Sequence, residues 1–223
     1  MKRIIAFILC FIALITLTVP LTSCDRSYNE EEVLSAAEEL IAKSAELNEI
    51  FWGRGIGYDR GDLSTSIGNY YKANFFDLDK YGVRTVEDIK EKARGVFTER
   101  YCENIFSTVF SSIVDTEIQF YARYFQKYSD ENNTEPECIM VYSDAIVLLD
   151  DTVVYHYDTM RVTGSKRESV FVSIDVTVTS PEGEVQTNTL NIGLIEEEEG
   201  WRINTPTYSS YNKYKDEENN TDK

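Results

Sequence analysis

In "VVYHYDTM" (153–160) the sole histidine of the chain, His156, stands two residues from Asp158, with Tyr157 between them. Residues two apart on a strand share a face, so the carboxylate would orient or charge the imidazole. Inside an apolar pocket such a pair moves a proton on a bound carbonyl compound. A neighbouring tyrosine hydroxyl, Tyr157 for instance, then donates to the developing negative charge. The plainer alternative is a satisfied or exposed strand histidine, with Asp158 bonding backbone at a sheet bend. No other group of residues competes for chemistry. A phosphate loop needs Gly-Lys-Ser/Thr opening a helix after a strand, and the glycines of "WGRGIGYDRGDLSTSIGN" (52–69) follow a helical stripe and lack that lysine. Arg60-Gly61-Asp62 matches an integrin-binding tripeptide, a three-residue coincidence best ascribed to chance. With one histidine and no CxxC, no zinc site of the usual kind is expected, and no metal or cofactor is implied.

The other reactive position is Cys24, in "VPLTSCDRS" (19–27). Lys2 and Arg3 make a basic start, and Ile4 to Val19 is apolar apart from Thr16 and Thr18. This is the charged and apolar pattern of a secretory signal. As a helix the run reaches roughly 24 Å, short of the ~30 Å hydrocarbon core. Leu21-Thr22-Ser23-Cys24 resembles the lipobox of bacterial lipoproteins. The resemblance covers residues 1–24 and implies a signal peptide over 1–23, cleavage before Cys24 and lipid on its sulfur. One acyl chain binds a membrane only marginally, so a durable anchor needs a multiply acylated cysteine, palmitate being one such acyl group.

The full sequence holds 223 residues, with 22 Lys and Arg against 39 Asp and Glu, a formal charge of −17. Loss of residues 1–23 removes Lys2 and Arg3 and makes the remainder two units more negative. Such a surface excludes nucleic acid, whose phosphates need Lys and Arg, and direct docking on anionic lipid. With Cys10 in the signal and Cys24 lipidated, Cys102 and Cys138 remain. In an exported chain they form either a disulfide or buried thiols.

The elements that must position these groups follow from periodicity. Asp25 to Tyr28 bridge roughly 14 Å at most, holding the domain close to its anchor. Ser27 or Asn29 caps a helix opening on Glu30, Glu31 and Glu32. Val33, Ala37, Leu40, Ser44, Leu47 and Phe51 give its buried stripe. Thr85 and Asp88 form a capping box before Val86, Ile89 and Ala93. Thr98 caps a helix whose face carries Cys102, Ile105, Phe106, Val109, Phe110 and Ile113. A period of two starts near Ile118, and Cys138 to Tyr142 reads as a short strand. In 169–179 and 185–195 the even positions carry the apolar set. "SPEGE" supplies a three-residue turn with Gly183 in the left-handed region. Pairing Ser180 with Glu184 sets a residue sum of 364, so Val170 faces Leu194, Val172 faces Ile192 and Ile174 faces Leu190. The preceding strand, Val153 to Thr163, allows two registers through "GSKR". A sum of 332 turns His156 and Asp158 to the helix-covered face; a sum of 331 turns Tyr155 and Tyr157 there. Apolar Val154, Met160 and Val162 favour the first.

Helices followed by a meander ending in "GWRINTPTY" give an α+β class. The order resembles the nuclear-transport-factor-two-like, or cone-shaped cystatin-like, superfamily over residues 70–208. That likeness implies N-terminal helices packed on a curved antiparallel sheet. "AELNEIFWGRGIGYD" is similar to a segment of uncharacterised exported clostridial lipoproteins, implying a Gram-positive cell surface. The organisation expected is a signal peptide (1–23), anchor, helix and Gly-rich loop (24–68), cone-like domain (69–208) and polar tail (209–223). Two functions fit: a non-catalytic, membrane-anchored extracytoplasmic lipoprotein that binds a protein, a wall component or a small ligand, or a small isomerase- or dehydratase-like enzyme using His156 and Asp158. A filled interior favours the first; an open cavity lined by the pair favours the second.

Overall fold

Helix α1, Glu30–Phe51, starts where the Asn29 side chain accepts a hydrogen bond from Glu31 N at 3.1 Å, and three glutamates occupy its first turn. The expected stripe is buried and is widened by Ile41, Asn48 and Ile50. The computed structural model describes residues 28–59, 61, 66–114, 119–129, 137–145, 147–166 and 168–211. The signal segment, Cys24, Arg60, Asp62 and the tail beyond 211 lie outside these. Among the described residues no helix is long and apolar enough to cross a membrane.

The chain continues through strand β1 (Tyr70–Lys72) into helix α2 (Phe75–Tyr81). Asn74 caps α2 by accepting from Phe76 N, and Gly82 ends it in the left-handed region at φ 59°. Sequence periodicity misses α2 because its aromatic pair, Phe75 and Phe76, is exposed rather than buried. Helix α3 (Val86–Arg94) carries the anticipated capping box of Thr85 and Asp88. Helix α4 (Glu99–Val109) is capped by Thr98 and buries Cys102, Ile105 and Val109.

Two short strands, β2 (Ile113–Val114) and β3 (Gln119–Phe120), pair with each other. The alternation expected from Ile118 therefore breaks after two residues, and β4 begins at Tyr124 and ends at Lys127. Strand β5 is Cys138–Tyr142, as expected, and lies between β1 and β4 in a three-stranded antiparallel sheet.

The larger sheet is a meander of β6 (Thr152–Lys166), β7 (Ser169–Thr179), β8 (Val185–Glu197) and β9 (Gly200–Ile203). The β7–β8 hairpin has the expected register, with Val170 opposite Leu194, Val172 opposite Ile192 and Ile174 opposite Leu190. Ser180 N donates to Glu184 O at 2.8 Å across the turn, and Gly183 has φ 89°. The even side chains of β7, Val170 to Val178, are buried, and α1 packs against β6, β7 and β9.

Strand β6 corrects the register favoured from the sequence. Thr152 to His156 pair with Thr179 to Asp175, the 331 alternative. Tyr155 and Tyr157 thus pack on the core and Val154 is 51% exposed. Beyond His156 the strand bulges: the span from His156 to Arg161 runs against Asp175 to Ser173 of β7, an odd excess of residues on β6. The inward parity flips there, so Met160 and Val162 also reach the core. An apolar neighbour on each side of the bulge is what made the other register attractive.

A buried cation closes the C-terminus of α1. Arg123 is 9% exposed. Its Nη1 and Nη2 donate to Phe51 O and Gly53 O, and its Nε to Tyr124 Oη at 3.0 Å. Tyr124 Oη in turn donates to Ile50 O at 2.9 Å and accepts from Ile56 N at 3.1 Å. Gly55 passes this cluster at φ 62°, and a Cβ on it would lie 2.3 Å from Tyr124 Oη. Removing the hydroxyl in Tyr124→Phe orphans a buried carbonyl and a buried amide, which costs about 1–3 kcal/mol. Gly55→Ala adds backbone strain to the clash and should cost more. Urea denaturation of the two variants measures both; a wild-type midpoint for Tyr124→Phe would show that the hydroxyl contributes nothing.

Candidate functional site

Neither residue of the anticipated catalytic pair lines the grooves that the structure describes. His156 Nε2 lies 2.7 Å from Thr177 Oγ1, on the sheet face that carries the odd residues of β7. That is the face turned away from α1. Asp158 is exposed on the bulge. The Thr159 hydroxyl fixes that bulge by donating to His156 O at 2.7 Å and accepting from Asp175 N at 2.9 Å. On the opposite face Tyr157 stacks on Tyr155, with ring centroids 6.2 Å apart. Val172, Ile174, Val176 and Ile192 have no exposed surface, so the space between sheet and helices is filled. The pair therefore has neither an apolar pocket in front of it nor Tyr157 beside it.

Sequence reasoning missed a buried polar seam. Thr207 Oγ1 lies 2.7 Å from Ser44 Oγ and accepts from Asn48 Nδ2 at 3.0 Å. Tyr155 Oη donates to Thr207 O at 2.7 Å, and Ser44 Oγ also bonds Ile41 O. The seam ties the segment after β9 to α1 and β6. Ser44 within an otherwise apolar stripe was the one visible signal, and its partner lies near the far end of the chain.

Two surface grooves flank this core. One, of about 540 Å³, lies between α1 and α3 over Leu47 and Val96. Its Lys92 pairs with Glu46 at 3.1 Å, and Lys43 pairs with Glu39, so its charges are matched internally. The other, of about 490 Å³, lies between Asn188, Thr189 and Leu190 of β8 and the segment 208–211. Its lining is uncharged: amide, hydroxyl and aromatic groups with one leucine. Asn188 Nδ2 donates to Ser209 Oγ at 2.8 Å, and Tyr211 N to Asp151 Oδ2 at 2.7 Å. Tyr208 rests against Trp52, with centroids 6.5 Å apart. This groove can hold a polar ligand by hydrogen bonds and ring contacts, and it contains no nucleophile paired with a base.

No disulfide joins Cys102 and Cys138; each keeps its thiol. Cys102 Sγ sits 3.8 Å from Phe97 O, and Cys138 Sγ lies against Met140 Sδ at 3.7 Å. Burial pushes the Cys102 thiol up to about 12. Among the described residues no cluster of His, Cys, Asp and Glu is placed to hold a metal ion. Compared with protein-family models, with curated proteins and with solved structures, the chain matches none of them.

Two outcomes follow from these environments. Cys102 should resist a thiol reagent in the native protein and react once the protein is denatured without reductant; a bond to Cys138 would leave both thiols silent. Burial raises Tyr155 to about 12, and Cys102 as far. Both are neutral in the fold at pH values where the unfolded chain has ionised them. Their contribution is whole below about pH 9 and is lost as pH rises towards 12. A titration of denaturation midpoint against pH should fall across that window, with a shallower slope in Tyr155→Phe.

Proposed function

We propose that this chain is a membrane-anchored extracytoplasmic lipoprotein whose α+β domain is a non-catalytic binding module. The observation that carries the anchor is "VPLTSC": Leu21-Thr22-Ser23 and a cysteine just after a basic start and an apolar run. The net charge of −17 agrees with this reading, since such a surface is kept off anionic headgroups and nucleic acid and needs a covalent attachment to stay at a membrane. The binding function draws support from the site geometry. Val172, Ile174, Val176 and Ile192 fill the space between sheet and helices, His156 serves Thr177, and the two grooves described lie at the surface. The cone-like architecture belongs to the same proposal. Its supports are helix α1 packed against β6, β7 and β9 of a four-stranded meander and, in β6, register shifts of the kind that let a sheet bend.

Mass spectrometry of the membrane fraction tests the anchor. The expected species begins at Cys24 and carries more than one acyl chain, and Cys24→Ala should accumulate as unprocessed, unacylated precursor. A mature start at another residue, or an unmodified Cys24 on protein released into the medium, would refute the proposal.

A further inference from the structure

Strand β9 pairs with β8 only from Leu194 to Glu197. One residue further along β8, Gly193 O accepts from Asn204 N at 2.8 Å and Gly193 N donates to Thr205 Oγ1 at 3.0 Å. Both ladder groups of Gly193 thus point away from β7. Strands β7 and β8 stay in register without a break from Ser169–Ile195 to Thr179–Val185. Ladder direction alternates with a period of two in an antiparallel pair. The amides and carbonyls of Asn191, Thr189, Thr187 and Val185 therefore point the same way as those of Gly193. All four residues are exposed, and among the described residues nothing bonds to these groups. The segment after β9 meets this stretch of β8 through the Asn188–Ser209 side-chain bond and stands off from it, which leaves the 490 Å³ groove alongside.

An open edge of this length invites pairing, and sheets ordinarily blunt their edges with lysine, proline or bulges. The opposite edge of this sheet does so. Strand β6 breaks register twice and exposes Asp158, Arg161 and Lys166. The stretch "VQTNTLN" (185–191) has no charge, no proline and no bulge. Charge then selects the occupant. Glu182 and Glu184 stand at one end of the open edge, Glu196 to Glu199 at the other, and Asp175 of β7 accepts from the Thr189 hydroxyl between them. A second copy would bring the same carboxylates against these, whereas lysines or arginines at the ends of a strand would meet them favourably.

We propose that the edge of β8 from Val185 to Asn191 is a strand-addition site for an extended, basic peptide segment of a partner protein. Main-chain bonds to the exposed ladder groups supply affinity. Alternate side chains of the peptide enter the groove beside Asn188, Leu190 and Tyr208 and supply selectivity. The proposal rests on reading the domain as a binding module and names the ligand class.

The test is hydrogen exchange of the full lipidated chain in nanodiscs, read at 185–191 while the peptide Lys-Thr-Val-Thr-Val-Thr-Lys is added. Exchange there should slow by about tenfold. The protection should vanish with the same peptide methylated at every amide nitrogen, and weaken when glutamate replaces its lysines. It should also be lost in Thr189→Pro, which removes an N–H that β7 does not use and so spares the existing ladder. No slowing with the lysine peptide, or equal slowing with the methylated one, overturns strand addition. Protection by N-acetylglucosamine oligomers and not by peptide overturns it too, while leaving the binding-module reading in place. Protection that grows with protein concentration in the absence of peptide would assign the edge to a second copy and also overturn the proposal.

Discussion

The architecture turns on how the far end of α1 is closed. A helix leaves its last carbonyls without intrahelical partners and gathers negative potential there. Helix α1 has three glutamates in its first turn, which suits that end, yet no basic residue in its last turn. The missing cation arrives from Arg123, far along the chain, buried with Tyr124 among the carbonyls of Ile50, Phe51 and Gly53. Because Tyr124 opens β4 and Arg123 directly precedes it, closing the helix also fixes the small sheet against it. Burial without these bonds would leave a charge and several carbonyls desolvated together, a severe penalty. The cluster therefore specifies one arrangement of helix, glycine loop and small sheet.

The same logic explains the glycine-rich segment after α1, which sequence pattern could place only as a loop or hinge. Gly55 must pass within reach of Tyr124 Oη in a left-handed conformation that side chains rarely adopt. Gly57 N donates to Asp77 of α2 at 2.8 Å. Leu148 and Leu149 amides donate to Trp52 O, so the approach to β6 is held by the same turn. Two of the glycines thus serve close approach of backbone to side chains from later parts of the chain, Tyr124 and Asp77.

What could be read in advance depended on whether local signals were complete. The β7–β8 hairpin was legible because turn chemistry and alternation fixed the same register independently. The capping residues Thr85 and Thr98 were legible because a cap and the stripe behind it lie within a few positions. The register of β6 was not. "GSKR" permits either pairing, and the bulge after His156 inverts parity midway, so one consistent alternation does not describe the strand. His156 was drawn inward on paper by Val154 and Met160, which lie on opposite sides of that inversion. The polar seam was hidden for another reason: it joins residues from opposite ends of the chain, and neither half carries a motif. The groove beside β8 lies between a strand and an irregular segment whose path no periodicity marks.

The Ser44–Thr207 contact spans 163 positions of sequence. During synthesis α1 is made first, yet the Thr207 hydroxyl that meets its buried serine and asparagine comes only after the final strand. The 22-residue α1, like most helices in proteins, draws most of its stability from the packing of its apolar stripe. The fold therefore cannot be completed piecemeal from the N-terminus; its cooperative closure waits for nearly the whole chain. Contacts of such sequence separation slow folding.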